Sequence, residues 1–205
     1  MEFDIVKKYT AELTSAEIHT LTSLVNDCFY KNTVNEMEVQ HIFFSDLEIC
    51  NLIIEDKNDL VGLFQVKDLP KLESVYFFSA SVRKDYRNRG LHSEMIDYRI
   101  AGCKNLGRKY ASARTMNPVV IGNMVKKGFF LPQTENPELL RKAKEILIEL
   151  EGSDLGLTDD FVIKRKNTTK YPNLMDTEEC SNPEVNTFMA AHMEEGDRLF
   201  LIRKV

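Results

Sequence analysis

Residues 82–93 read VRKDYRNRGLHS, with four basic side chains, Arg83, Lys84, Arg87 and Arg89, crowded ahead of Gly90. The preceding run, LESVYFFSASV, is rich in aromatic and β-branched residues and reads as a strand. After Gly90, Leu91, Met95, Ile96, Ile100, Cys103 and Leu106 recur at three- and four-residue steps, which predicts an amphipathic helix with Gly107 just past its end. A helix start leaves several backbone N–H groups without intrahelical partners and pointing one way. Those donors, with the positive end of the helix dipole, make an anion site. Glycine at 90 lets an anion approach the backbone without meeting a Cβ. Arg87 and Arg89 add charge-assisted bonds, and Arg83 and Lys84 reach toward a more distant phosphate. The chemistry such a junction suits is the holding of a pyrophosphate. The same residues also describe a solvated basic loop with Gly90 as a turn residue, and charge pattern alone does not separate the two.

A second motif lies downstream. NPVVIGNMVKKGFF opens on Asn117 and Pro118, a helix cap and first-turn residue, and closes on Gly128 followed by Phe129 and Phe130. Taken together, the two motifs resemble the GNAT superfamily of N-acetyltransferases, which use acetyl-coenzyme A. That family's pyrophosphate signature is R/Q-x-x-G-x-G/A after a strand ending in an apolar residue, matched here by Val82, Arg87 and Gly90. Its later motif, an Asn and then a helix ending in Gly-Phe, is matched by Asn117, Gly128 and Phe129. The resemblance spans about residues 3–130 in element order.

What the resemblance implies is a transfer of acetyl from acetyl-CoA, as co-substrate and without a metal, to a primary amine on a small molecule or a protein. It places Ala80, Val82, Arg87, Asn88, Arg89, Gly90, Leu91, His92 and Ser93 at the coenzyme, and Asn117 at its pantetheine arm or at the acceptor. Two positions depart from the pattern. His92 stands where the family prefers Gly or Ala, so its ring must point away from the phosphates or donate to one. Met124 stands where many members carry a tyrosine general acid.

An amine of pKa ~10.4 must lose a proton before it attacks. Glu73, the only carboxylate in LESVYFFSASV, is one candidate base. Tyr76 falls at the family's common glutamate position, three residues further on and so on the opposite face of a regular strand. Water, or a Glu or Asp of the first helices, is the alternative. Ser81 or Ser79 is placed to donate to the leaving thiolate, and backbone N–H groups around Ser79 to Val82 would hold the developing oxyanion. A non-catalytic acetyl-CoA- or CoA-binding sensor or structural protein is the rival reading.

The elements that must position these residues follow from periodicity. EFDIVKKY reads as a strand, residues 15–30 as a helix opened by the Thr14/Glu17 capping box, 35–46 as a second helix, and EICNLIIED–KND–LVGLFQVKD as a hairpin. KYASARTM, DDFVIKRK and DRLFLIRKV read as further strands. The expected fold is α/β (α+β): one domain over 1–205, a central mixed, mostly antiparallel sheet flanked by helices. To this layout are added an inserted helix at about 137–151 and a long loop at about 167–190, which either close over a substrate or form a homodimer contact.

The chain has 205 residues, 43% hydrophobic, with a formal net charge of −5, which opposes nucleic acid as a partner despite RKDYRNR and KRKNTTK. Four separated cysteines without a CxxC pair, no signal-like N-terminus and no apolar run of membrane length point to a reduced, cytoplasmic protein with no membrane partner. Glu17, Asp27, Glu36, Glu38, Asp46 and Glu48 on the first helices and hairpin suit either a cationic acceptor or ordinary exposed faces.

Overall fold

A computed structural model describes residues 3–29, 36–164 and 180–205. Its elements are β1 (Asp4–Tyr9), α1 (Ser15–Phe29), α2 (Glu36–Phe44), β2 (Cys50–Asp56), β3 (Asp59–Leu69), β4 (Ser74–Val82), α3 (Leu91–Asn105), β5 (Tyr110–Thr115), α4 (Pro118–Lys126), α5 (Pro137–Glu151), β6 (Val162–Ile163), α6 (Pro183–His192) and β7 (Arg198–Lys204). The seven strands form one mixed sheet in the order β1-β2-β3-β4-β5-β7-β6. The α/β architecture is the one expected. Packing divides the chain into two compact units, Met1–Asp68 with Tyr76–Arg99 and Leu69–Val75 with Ile100–Val205. No helix of the described residues is long and apolar enough to cross a membrane.

In the first unit, the Thr14 N–H donates to Glu17 Oε2 at 2.8 Å and the Glu17 N–H returns to Thr14 Oγ1 at 3.3 Å, the reciprocal cap read from the sequence. β1 and β2 pair antiparallel with Ile5 opposite Ile54 and Lys8 opposite Asn51, and β2 pairs with β3 so that Asn51 faces Gln65. Strand alternation then sorts the two faces. Cys50, Leu52, Ile54 and Phe64 join Leu91 and Met95 of α3 in one apolar cluster. Asn51 and Gln65 lie on the other face, where the Gln65 amide reaches the Phe43 carbonyl of α2.

β4 breaks this alternation. Phe77 lies beneath the Arg99 guanidinium of α3, and Ala80 and Val82 pack on the α3 cluster, so residues three apart share a face. On the α2 side, Phe78 meets the Phe43 ring at 6.5 Å and Ser79 meets Gln65, although they are consecutive. One extra residue at 78–79 is a β-bulge. β4 is interior to the sheet, yet its burial falls from complete at 74–77 to partial at 78–80.

In the second unit, β5 and β7 pair antiparallel from Tyr110 opposite Lys204 to Thr115 opposite Leu199, with β6 added against Arg198 and Leu199. α5 begins where Asn136 Oδ1 accepts from the Leu139 N–H, as Asn136–Pro137 predicts, and buries Leu139, Ala143, Ile146 and Leu147. The expected loop at 167–190 needs correction. Residues 167–179 lie outside the described residues, but 183–190 belong to α6, capped by Asn182 through the Glu184 N–H at 3.0 Å. Before α6, Cys180 Sγ sits where a Cβ on Gly122 of α4 would overlap it, which accounts for a glycine inside that helix. All four cysteines are free thiols.

Candidate coenzyme and acceptor site

β4 ends at Val82 and α3 starts at Leu91, so the basic loop occupies the strand-to-helix junction expected of it. Within it, Asn88 (φ 61) and Gly90 (φ 86) both take left-handed backbone, bending the chain twice in three residues. Asparagine tolerates that conformation; most side chains do not. A Cβ at Gly90 would meet nothing within 4 Å, so the space in front of this backbone is open. The first intrahelical bond runs from the Glu94 N–H to the Gly90 carbonyl at 3.1 Å. The amides of Leu91, His92 and Ser93 therefore precede the helical ladder.

The loop arginines divide by what they touch. Arg83 is spent on Asp85, through Nε at 2.7 Å and a second nitrogen at 2.9 Å, and does not present a free charge. Its guanidinium and that of Arg89 lie on the Tyr86 ring, each 4.7 Å from the centroid, and the Tyr86 hydroxyl donates to Asp56 at 2.9 Å. Arg87 Nε donates to the Val82 carbonyl at 3.1 Å, which folds its side chain back over the strand end. Cys28 Sγ reaches the same carbonyl at 3.3 Å, and burial pushes its thiol up despite the Arg87 charge beside it. Exposed Arg87 and Arg89, an unhindered Gly90 and three first-turn amides fit a diphosphate.

His92 does not intrude on that set. Its ring tilts against the buried Phe64 ring, 6.0 Å between centroids. Burial, and secondarily the charge of Arg99, lower its pKa to about 3, so the imidazole is neutral. Arg99, 4% exposed, donates Nε–H to the Met95 carbonyl at 3.1 Å and lies over Phe77 at 4.3 Å and Phe64 at 5.1 Å. Burial alone brings its pKa down to about 9.

The residues expected at the reaction centre are placed unequally along β4. Glu73 precedes the strand in left-handed backbone (φ 50), with its carboxylate half-exposed and 2.7 Å from Lys109 Nζ. Tyr76 is 2% exposed with its ring edge-on to Phe78 at 6.2 Å. Ser81 is 1% exposed, and its hydroxyl oxygen has no hydrogen-bond partner. Ala80, Val82 and Ser79 are partly exposed. Ser79 ends a buried chain of polar side chains: its Oγ donates to Gln65 Oε1 at 2.6 Å, and Gln65 Nε2 donates to Asn51 Oδ1 at 2.8 Å. Sequence reasoning passed over Gln65 and Asn51; two amides inside otherwise apolar strands were the available signal.

In the second unit, Asn117 Oδ1 accepts from the N–H groups of Val119 (2.9 Å) and Val120 (3.4 Å), so its carbonyl is committed to capping α4. Met124 is 2% exposed in the core, and Phe129 is 3% exposed. A cavity of about 610 Å3 there, lined by Asp159, Asp160, Glu184, Phe188 and His192 among others, contains none of the predicted site residues. Among the described residues no three His, Cys, Asp or Glu side chains gather as metal ligands. Of the six acids noted on the first helices and hairpin, at least four are paired: Glu17 with Lys8, Asp46 and Glu48 with Lys67, and Glu36 with His19. Their number therefore gives no special weight to a cationic acceptor.

No protein-family model matches the chain, and no curated protein matches it. Solved structures do. A Bacillus subtilis acetyltransferase in complex with CoA is 11% identical, with 98% of this chain and 99% of that one covered, at a TM-score of 0.55. A GNAT family acetyltransferase from Elizabethkingia anophelis with acetyl-CoA bound is 12% identical over 99% and 98%, at 0.53. The ribosomal-protein-S18-alanine N-acetyltransferase of Escherichia coli is 10% identical over 98% and 94%, at 0.55. At these identities the likeness is one of fold, and the fold is that of the GNAT acetyltransferases.

Proposed function

We propose that the chain is an acetyl-CoA-dependent N-acetyltransferase acting on a primary amine. The observation that carries this reading is the loop at 87–93, an open left-handed Gly90 between two exposed arginines and a helix start. Solved neighbours of the same fold hold CoA or acetyl-CoA, and one is named for acetylating an alanine, which supports the same ligand class and acceptor here.

In this reading Arg87, Asn88, Arg89 and Gly90 and the amides of Leu91, His92 and Ser93 hold the coenzyme's diphosphate, and Ala80 and Val82 line its arm. Asn117 keeps its carbonyl on the helix cap and has its amide N–H groups left to offer. The co-substrate brings the acetyl group as a thioester. In the transfer the amine nitrogen forms a bond to the carbonyl carbon, the carbon–sulfur bond breaks, and the proton lost from nitrogen is balanced by the one the thiolate gains. A thiolate of pKa about 8.5 leaves with little help, so Met124 in place of a tyrosine is compatible with turnover. Glu73 is held by Lys109, and Ser81 is sealed in the core. We therefore assign the proton removed from the amine to water, with Tyr76, buried like Ser81, acting through the Phe78 ring it packs against.

Those two placements also favour a second reading, a protein that binds the coenzyme without turnover. Thiol release from acetyl-CoA, followed across tyramine, spermidine and an alanyl tripeptide, decides between them. Amine-dependent release supports the enzyme. CoA binding with no release above the amine-free rate leaves the binding protein.

A further inference from the structure

The polar chain that ends at Ser79 has a direction fixed by two backbone carbonyls. Lys8 O accepts from Asn51 Nδ2 at 3.3 Å, and Phe43 O accepts from Gln65 Nε2 at 2.8 Å. A carbonyl can only accept, so neither amide can be turned over without setting oxygen against oxygen. The second Asn51 N–H goes to Thr10 Oγ1 at 3.0 Å, and Thr10 passes its own proton to Ile49 O at 3.2 Å. The second Gln65 N–H goes to Asn51 Oδ1, which leaves Gln65 Oε1 as the group that faces Ser79. Thr10, Asn51 and Gln65 are 3%, 0% and 0% exposed, so no solvent competes for these bonds. The Ser79 hydroxyl is therefore obliged to donate to Gln65, and what it offers outward is lone pairs only.

Ser79 is also where β4 becomes accessible. It sits in the bulge, in the partly exposed stretch 78–80 of an interior strand. Three residues, roughly 10 Å of strand, separate it from Val82 and the start of the basic loop. A serine whose proton is locked inward cannot protonate a leaving thiolate, the role open to it from sequence. It can accept a hydrogen bond from a group rich in N–H.

We propose that Ser79 Oγ takes an N–H of the acceptor amine and so orients it, with the Thr10–Asn51–Gln65 chain keeping Ser79 an obligate hydrogen-bond acceptor. This rests on the acetyl-transfer reading above and deepens it. The geometry fits a neutral amine, which can give one N–H to Ser79 while its lone pair faces the thioester.

The test compares the parent with Ser79→Ala and Ser79→Thr, using the best acceptor among tyramine, spermidine and the alanyl tripeptide. CoA-induced thermal stabilisation is measured on all three proteins as a check on folding and coenzyme binding. The expected result is a rise of about tenfold in KM for the amine in Ser79→Ala, an unchanged KM for acetyl-CoA, and recovery in Ser79→Thr. A tenfold rise corresponds to about 1.4 kcal/mol, the upper end of what one hydrogen bond between neutral groups contributes. An amine KM within twofold of the parent overturns the proposal. So does an equal rise for both substrates, or CoA stabilisation with no amine accepted. If CoA stabilises none of the three proteins, the acetyl-transfer reading itself fails, and this proposal with it.

Discussion

Acidification should reveal His92. Its folded pKa, about 3, lies well below the ordinary histidine value of about 6.5, because burial against Phe64 and the nearby Arg99 charge both disfavour the imidazolium. The folded state therefore holds the ring neutral while the unfolded chain takes up a proton below about pH 6.5. This contribution to stability is intact above that value and is lost as pH falls, by about 1.4 kcal/mol per pH unit, until the folded ring itself titrates. From about pH 7.5 to about pH 5 the loss comes to ~2 kcal/mol, and it depends little on the folded value so long as that stays below about 4. Urea unfolding of the parent and of His92→Gln at the two pH values isolates the effect, since other groups cancel in the comparison. The parent should lose ~2 kcal/mol more than the variant. Equal losses, or an imidazole that titrates near 6.5 by NMR, would refute a ring turned into the protein. A ring titrating at about 6.5 would instead put a cation beside the α3 start under mildly acidic conditions, and the account of a neutral, unobstructed anion cradle would need revision.

Other perturbations have equally definite outcomes. Arg99 has no carboxylate partner among the described residues, so Arg99→Met should change stability by less than ~1 kcal/mol or increase it, because burying that charge is itself costly. The same variant should move the His92 titration upward in NMR. Glu17 is held at about 2, chiefly by its hydrogen bond from Lys8 and then by those from Thr14. A depressed carboxylate stabilises above its unfolded value of about 4.3 and loses that contribution as pH falls toward 2. With a third of the side chain exposed, solvent screening limits this to about 1 kcal/mol or less, so Glu17→Gln should cost that much at neutral pH and nothing near pH 2 in urea melts. Gln65→Leu strips two buried acceptors, Phe43 O and Asn51 Oδ1, of their donor and should cost ~2–5 kcal/mol by the same assay.

The strand-to-helix junction around Gly90 was more legible in the sequence than the backbone of β4, for physical reasons. A glycine directly after clustered arginines, at the turn from a β-rich run to a helical one, announces itself, and so does Asn-Pro opening α4 and α5. α6 begins with the same signal, Asn182-Pro183-Glu184, as α5 does with Asn136-Pro137-Glu138, but the polar run ahead of it suggested a loop. The bulge at 78–79 had no such mark. SVYFFSASV is an interior strand, apolar or small at nearly every position, and without a period there is no alternation for an extra residue to break visibly. For the same reason Glu73 read as part of the strand, although its left-handed backbone ends a short turn at Pro70–Leu72 before β4 begins. The Ser79–Gln65–Asn51 chain joins residues 14 positions apart at each step and exists only through strand register.

The central claim, that residues 87–93 hold a coenzyme diphosphate, is tested most directly by thermal unfolding with and without acetyl-CoA. The proteins compared are the parent, Gly90→Glu and Arg89→Ala. Ligand at ~100 times its dissociation constant adds about 2.7 kcal/mol, a rise of roughly 5–10 °C for a chain of this size. The account predicts that rise in the parent, a reduced rise in Arg89→Ala, and none in Gly90→Glu, where a carboxylate stands in the open space before the helix start. An unchanged Tm in the parent at millimolar acetyl-CoA, or a full rise in Gly90→Glu, would contradict it.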